Sequence, residues 1–212
     1  MDFEEVLDLL ERGMKLPLPG KSAQLEMSPQ PIDPKRFDPI LPVDYRKGAV
    51  LILVYPENQK AFFPLIKRPD YLGVHSGQIA LPGGKMEPGD ADIIQTALRE
   101  ASEEVGIDPH KVTIIGQMSD LFIPASKFLV SPILGFSESR PEFVPEIREV
   151  SRIIPTPLQK LHLPEQRKRK ILKFENEFRL DTPYFEIEQE MVWGATAMIL
   201  SELIQLLVNG KR

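Results

Sequence analysis

The sequence predicts a single α/β domain. Apolar runs of strand length recur along the chain, and helices with one apolar face alternate with them instead of forming a separate block. Size agrees, because 212 residues with 42% hydrophobic and 27% charged side chains suffice for one sizeable core and are too few for two comfortable ones. No internal repeat or low-complexity tract interrupts this pattern.

Phe3, Val6, Leu7, Leu10 and Met14 form the stripe of a first helix, closed near Gly13, whose apolar face should lie against the main body. Seven prolines between Pro17 and Pro42 then forbid regular structure and predict an extended, ordered wrap with Phe37, Ile40 and Leu41 as anchors, a partner-binding arm being the alternative. Residues 1–45 are thus expected to be an N-terminal helix and wrapping segment, and residues 46–212 the globular unit. Residues 48–55 and 61–67 read as strands joined by a turn, favoured by Pro56 and Asn58. Further strands follow at 112–116 and 128–134, and a closing helix at 197–207 should bury Met198, Leu200, Leu203, Ile204 and Leu207.

The most informative element is a helix between Asp92, which can cap its start, and Gly106, which can close its end. Ile94, Ala97, Leu98, Ala101 and Val105 give it a core-facing stripe. Glu100, Glu103 and Glu104 crowd one flank, where like charges repel and a positive partner is expected. Just upstream, Leu81-Pro82-Gly83-Gly84 suggests a strand end turning tightly, with bare backbone free to approach a ligand. Strand, glycine turn and acidic helix together suit an oxygen-lined site for Mg²⁺ or Mn²⁺.

The run Arg99-Glu100-Ala101-Ser102-Glu103-Glu104-Val105-Gly106-Ile107 resembles the second half of the Nudix hydrolase signature at every fixed position. In the first half, the acidic residue that follows Gly84 after five intervening residues is Asp90 where the signature has Glu, and eight residues rather than seven separate it from Arg99. Asp90 is the chosen orienting partner of Arg99, with Glu87 its rival. A second stretch is similar to the coenzyme A pyrophosphatase branch of that family, through Arg68, Gly77 and Pro82-Gly83-Gly84, with the late Trp193-Gly194-Ala195-Thr196-Ala197 segment. An internal Arg of that branch falls on Gly73 here, which removes a natural phosphate clamp.

The resemblance implies an α/β/α sandwich around a mixed β-sheet, and water attack on a diphosphate with no covalent enzyme intermediate. It implies Glu100, Glu104, Glu103 and the Gly84 carbonyl as metal ligands for Mg²⁺ or Mn²⁺, with Arg99 orienting the carboxylates. Glu103 or Glu149 would serve as general base, and Arg68, His75 and Gly77 would meet substrate. The implied substrate is a nucleoside diphosphate derivative, coenzyme A favoured, split to 3′,5′-ADP and 4′-phosphopantetheine; NADH and ADP-ribose are the alternatives, and a silent binding module is the reading from another class.

Other residues carry blander expectations. His110 and His162 have no ligand-like spacing and read as solvated, Arg167-Lys168-Arg169-Lys170 reads as an exposed helix face, and Trp193 as packing at a strand end. A net charge of -5 argues against nucleic acid. The absence of cysteine excludes disulfides and thiolate chemistry. The N-terminal residues do not resemble a signal peptide and no stretch is long enough to span a bilayer, so the cytoplasm is expected, with no membrane partner and a homodimer left open.

Overall fold

The computed structural model describes residues 1–37, 40–70, 76–174 and 179–211. In chain order the elements are α1 (Phe3–Met14), α2 (Gly20–Leu25), β1 (Arg46–Glu57), β2 (Lys60–Lys67), β3 (Ile79–Ala80), β4 (Gly83–Lys85) and α3 (Ile93–Val105). They continue as β5 (Thr113–Gln117), β6 (Leu121–Ile123), β7 (Phe128–Phe136), β8 (Arg152–Pro157), β9 (Arg167–Lys173), β10 (Arg179–Ile187), β11 (Glu190–Trp193) and α4 (Gly194–Gly210).

The main sheet runs β3-β2-β1-β7-β5, with β4 added to β1, β6 to β7 and β8 to β2. Only β1 and β7 run parallel among its pairs, so the sheet is mixed. Its central strand β1 is covered on both faces and therefore reads as one unbroken apolar run. Leu51 and Leu53 pack with Ala97, Ala101 and Val105 of α3, while Ile52 and Val54 join α1 and α4 residues on the opposite face. Helix, sheet and helices thus form the expected α/β/α layers. The β1–β2 hairpin turns on Asn58 and Gln59, both at positive φ (50° and 64°), a pairing that matches strand twist.

Helix α1 ends at Met14, next to the glycine near which its close was expected, but Gly13 itself is helical and does not form the cap. Gly13 instead permits a close crossing: a β-carbon there would stand 2.5 Å from the Leu206 carbonyl oxygen of α4. Gly210 of α4 is likewise pressed against the Leu9 carbonyl of α1. The proline-rich segment is also more regular than expected, because the interval from Gly20 to Ser28 contains no proline and forms α2, while Pro34–Phe37 make a single 3-10 turn. Of the anchors, Phe37 packs against the core, Leu41 is half-buried and Ile40 is 81% exposed.

Helix α2 is held by a buried carboxylate. Glu202, on α4, accepts hydrogen bonds from the Gly20 amide (3.1 Å), the Gln24 side chain (3.0 Å) and the Ser119 amide (3.3 Å). All five side chains expected to be buried on α4 are buried, and the helix is apolar almost all round. A separate antiparallel sheet, β11-β10-β9, contains the basic run as an exposed strand and not as a helix. There Lys168 pairs with Glu186, and Arg169 with Asp181 at 2.8 Å, across to β10. No described helix is long and apolar enough to cross a membrane.

Candidate active site

Helix α3 begins where the Asp92 side chain accepts from the Gln95 amide (2.8 Å) and ends at Gly106 in the left-handed region (φ 73°). Its acidic flank meets the β4 turn. The buried Glu104 carboxylate accepts from the Gly83 amide at 2.7 Å, and Gly84 lies so near Glu100 that any β-carbon would collide with the carboxylate. A β-carbon on Gly48 would stand 2.5 Å from the Gly84 carbonyl oxygen, so glycine at position 48 keeps the space beside that oxygen free.

Arg99 supplies the positive partner that the crowded carboxylates require. It grips Asp90 through two nitrogens (2.8 and 3.0 Å), donates to the Lys85 carbonyl (3.0 Å), and reaches Glu100 and Glu103, each at 3.0 Å. Asp90 rather than Glu87 is therefore its partner. The extra residue before α3 is absorbed in a loop where Asp90 also accepts from the Glu87 amide and the Thr96 hydroxyl, both at 2.9 Å. Thr96 and the Lys85 carbonyl escaped the sequence reading. The signal for Thr96 was a hydroxyl four residues after the cap, buried on a helix flank.

The charges follow this geometry. The bidentate bond from Arg99 holds the Asp90 carboxyl far below its ordinary range, and Asp90 in turn holds the guanidinium above its own. Burial raises Glu100 against the opposing pull of Arg99. Burial also pushes Glu104 up to about 7; the Gly83 amide and Arg68 lower it, while Glu100 and Glu149 raise it further. Arg68 and Glu149 therefore both come within electrostatic reach of Glu104.

The loop holding Glu149 is tied down at both ends. The amides of Val144 and Glu146 bond the Val105 and Glu104 carbonyls, each at 3.0 Å, and so satisfy the last turn of α3. Beyond Glu149, the Ser151 amide and hydroxyl both donate to the Lys67 carbonyl at 2.9 Å. Gly77, at φ 63°, closes its own loop by donating to the Pro69 carbonyl at 3.2 Å, and a side chain there would strike Asp70. His75 and Gly73 lie outside the described residues. His110 is exposed, whereas His162 is half-buried with its Nε2 unpartnered, so the solvated reading of His162 is corrected: burial lowers its pKa.

Among the described residues no three carboxylates or imidazoles are already gathered at metal-holding distance, since Arg99 engages Glu100 and Glu103. The donor chemistry nevertheless fits a hard divalent cation: the groups offered are all oxygens, and Glu104 is a buried carboxylate whose raised pKa reports too little compensating charge. Glu100, Glu103, Glu104 and the Gly84 carbonyl are the groups that would hold it.

The NUDIX domain family matches residues 45–169 of the chain. A Shigella flexneri protein named an uncharacterized Nudix hydrolase NudL is 35% identical over 163 residues, covering 76% of this chain and 83% of its own length. The Arabidopsis thaliana protein named Nudix hydrolase 15, mitochondrial, is 33% identical over 184 residues; the match takes in 84% of this chain and 62% of that relative, less than two thirds of its length. In fold alone, a MutT/nudix family protein from Enterococcus faecalis is alike at a TM-score of 0.54 and 14% identity, over 81% of this chain and 65% of that one. With the family's domain matched over more than half its length and relatives at one third identity, the chain belongs to the Nudix hydrolase family.

Proposed function

We propose that the protein hydrolyses the diphosphate bond of coenzyme A or its derivatives with Mg²⁺ or Mn²⁺, giving 3′,5′-ADP and 4′-phosphopantetheine. The observation that carries the hydrolytic reading is Arg99 fastened to Asp90 while it spans Glu100 and Glu103, beside a buried Glu104 anchored on the Gly83 amide. A binding module has no use for such crowding. The coenzyme A reading is supported by Arg68, Gly77, the Pro82-Gly83-Gly84 turn and Trp193-Gly194-Ala195-Thr196-Ala197, which follow the pattern of that branch.

In this reading a water oxygen bonds to one phosphorus, the bond from that phosphorus to the bridging oxygen breaks, and the second phosphate leaves with the electron pair. Glu149, tethered between α3 and β2, or Glu103, 60% exposed on the flank of the helix, takes the proton from the water. When bound, Mg²⁺ or Mn²⁺ would neutralise phosphate charge and lower the pKa of the attacking water. Asp90 orients Arg99, and Arg99 keeps the carboxylates from splaying apart. Arg68, Gly77 and His75 are assigned to substrate.

Chromatographic product analysis tests the reading, with coenzyme A, acetyl-coenzyme A, NADH and ADP-ribose offered in parallel and Glu104→Gln as control. The expected result is 3′,5′-ADP appearing fastest from the coenzyme A compounds, and a loss of roughly 10²–10³ in rate in the variant. Faster turnover of NADH or ADP-ribose would refute the substrate and leave diphosphate hydrolysis standing.

A further inference from the structure

At the end of β2 the sheet sets two cations side by side. Lys67 and Arg152 are direct cross-strand partners in the β2–β8 pairing, a like-charge arrangement that is unfavourable by itself. One carboxylate answers both. Glu190 of β11 presents the same oxygen, Oε1, to the Lys67 ammonium at 2.8 Å and the Arg152 guanidinium at 3.0 Å. Glu188 also feels Arg152 but is itself paired with Lys160 at 2.6 Å, so one positive charge is left over before the neighbouring Arg68 is counted. The cluster is accessible, with Lys67 31% and Arg152 49% exposed.

Its position relates it to the diphosphate site. Lys67 directly precedes Arg68, whose charge is felt at Glu104, and Arg152 directly follows Ser151, which pins the Glu149 loop to the Lys67 carbonyl. Successive side chains on a strand face opposite ways, so Lys67 looks away from the face on which α3 and the acidic flank lie. An anion held by Lys67 and Arg152 is therefore separated from the diphosphate by a spacer that rounds the strand end. The basic run of β9 is a poorer candidate, since Arg167, Lys168 and Arg169 are paired with Glu26, Glu186 and Asp181.

We infer that Lys67 and Arg152 form a subsite for a second anionic group of the substrate, a phosphomonoester outside the diphosphate, and that Glu190 holds the place of that group until substrate arrives. The inference rests on the reading of the protein as a nucleoside diphosphate hydrolase. It makes Arg152 and Lys67 specificity residues rather than catalytic ones.

Substrate pairs differing by one phosphate decide it: coenzyme A against dephospho-coenzyme A, and NADPH against NADH. The wild-type protein should show a higher kcat/KM for the member with the extra phosphate. Arg152→Gln should lower that ratio about tenfold, the worth of one charge-assisted hydrogen bond, and Arg152→Lys should restore most of it. Glu190→Gln should raise the ratio, because it frees both cations, whereas a merely structural Glu190 would depress both members of a pair alike. No preference in the wild-type protein, or ratios that stay constant through all three variants, would overturn the subsite. Cleavage of the NAD pair without the coenzyme A pair refutes the proposed substrate instead, and the subsite then stands or falls on NADPH against NADH.

Discussion

Glu104 is a carboxylate enclosed by the fold, and among the described residues the Gly83 amide donates to it. Its folded pKa of about 7 lies above the ordinary 4.5, so between those values the native state retains a proton that the unfolded chain has released. Stability of the metal-free protein should therefore fall as pH rises through this window, by on the order of 2–3 kcal/mol, and level off above it. Groups with lowered pKa act in the opposite sense. Asp90, held low by Arg99, contributes stability that is lost only in stronger acid, and His162, lowered by burial, disfavours the fold as pH drops below its ordinary value. The clean measurement is thus a difference: urea midpoints of wild type and Glu104→Gln in chelator, from pH 5 to pH 8. Glutamine still accepts from Gly83, so the variant should fold and lack the slope that the carboxylate creates. Parallel curves would sink the assignment. At this scale the residues already favoured Asp90 over Glu87 as the partner of Arg99. Loop geometry decided it, through contacts from Thr96 and the Glu87 amide that have no periodic signature.

Among the elements, α3 could be read almost to the residue, because its cap, its stripe and its closing glycine all fall at helical spacing. The strands β6 and β8 and the β9–β11 sheet were not read. β6 and β8 are short and β9 is charged and almost wholly exposed, so pairing across the sheet holds them where an apolar pattern does not, while β10 was missed although it buries Phe185 and Ile187. The attachment of α2 was invisible for a different reason. It depends on Glu202, a charge in the middle of an apolar helix, whose partners lie far away in sequence at Gly20, Gln24 and Ser119. Glu202→Ala leaves the Gly20 and Ser119 amides without their acceptor and the Gln24 side chain with only the Ser119 carbonyl, at 3.3 Å. We expect a loss of roughly 2–4 kcal/mol and faster proteolytic cleavage between residues 15 and 30, read by mass spectrometry of a timed digest. Cleavage no faster than in wild type would show that α2 is held by something else.

At the scale of the whole molecule, the first and last helices share one core: Phe3, Val6, Leu9 and Leu10 lie in the same apolar cluster as Leu200, Leu203, Leu206 and Leu207. Removal of residues 1–30 would strip the cover from α4, and the shortened chain should be insoluble or lack a cooperative thermal transition, monitored by circular dichroism. A soluble, cooperatively folding remainder would make the N-terminal segment dispensable. The α/β class was legible in the interleaving of strands and helices, and the layers were implied only by the family resemblance. The way α1 meets α4 was not, since Gly13 reads equally well as a helix end or as a place of close approach. That crossing also sets an order of events. Helix α1 lacks its main partner until residues 194–210 exist, although the β1–β2 hairpin already offers it part of a surface, and β1 has no parallel neighbour until β7 has been made, so segments made early settle late. Until then the apolar stripe of α1 is only partly covered, and on a nascent chain it is a natural place for a chaperone to hold.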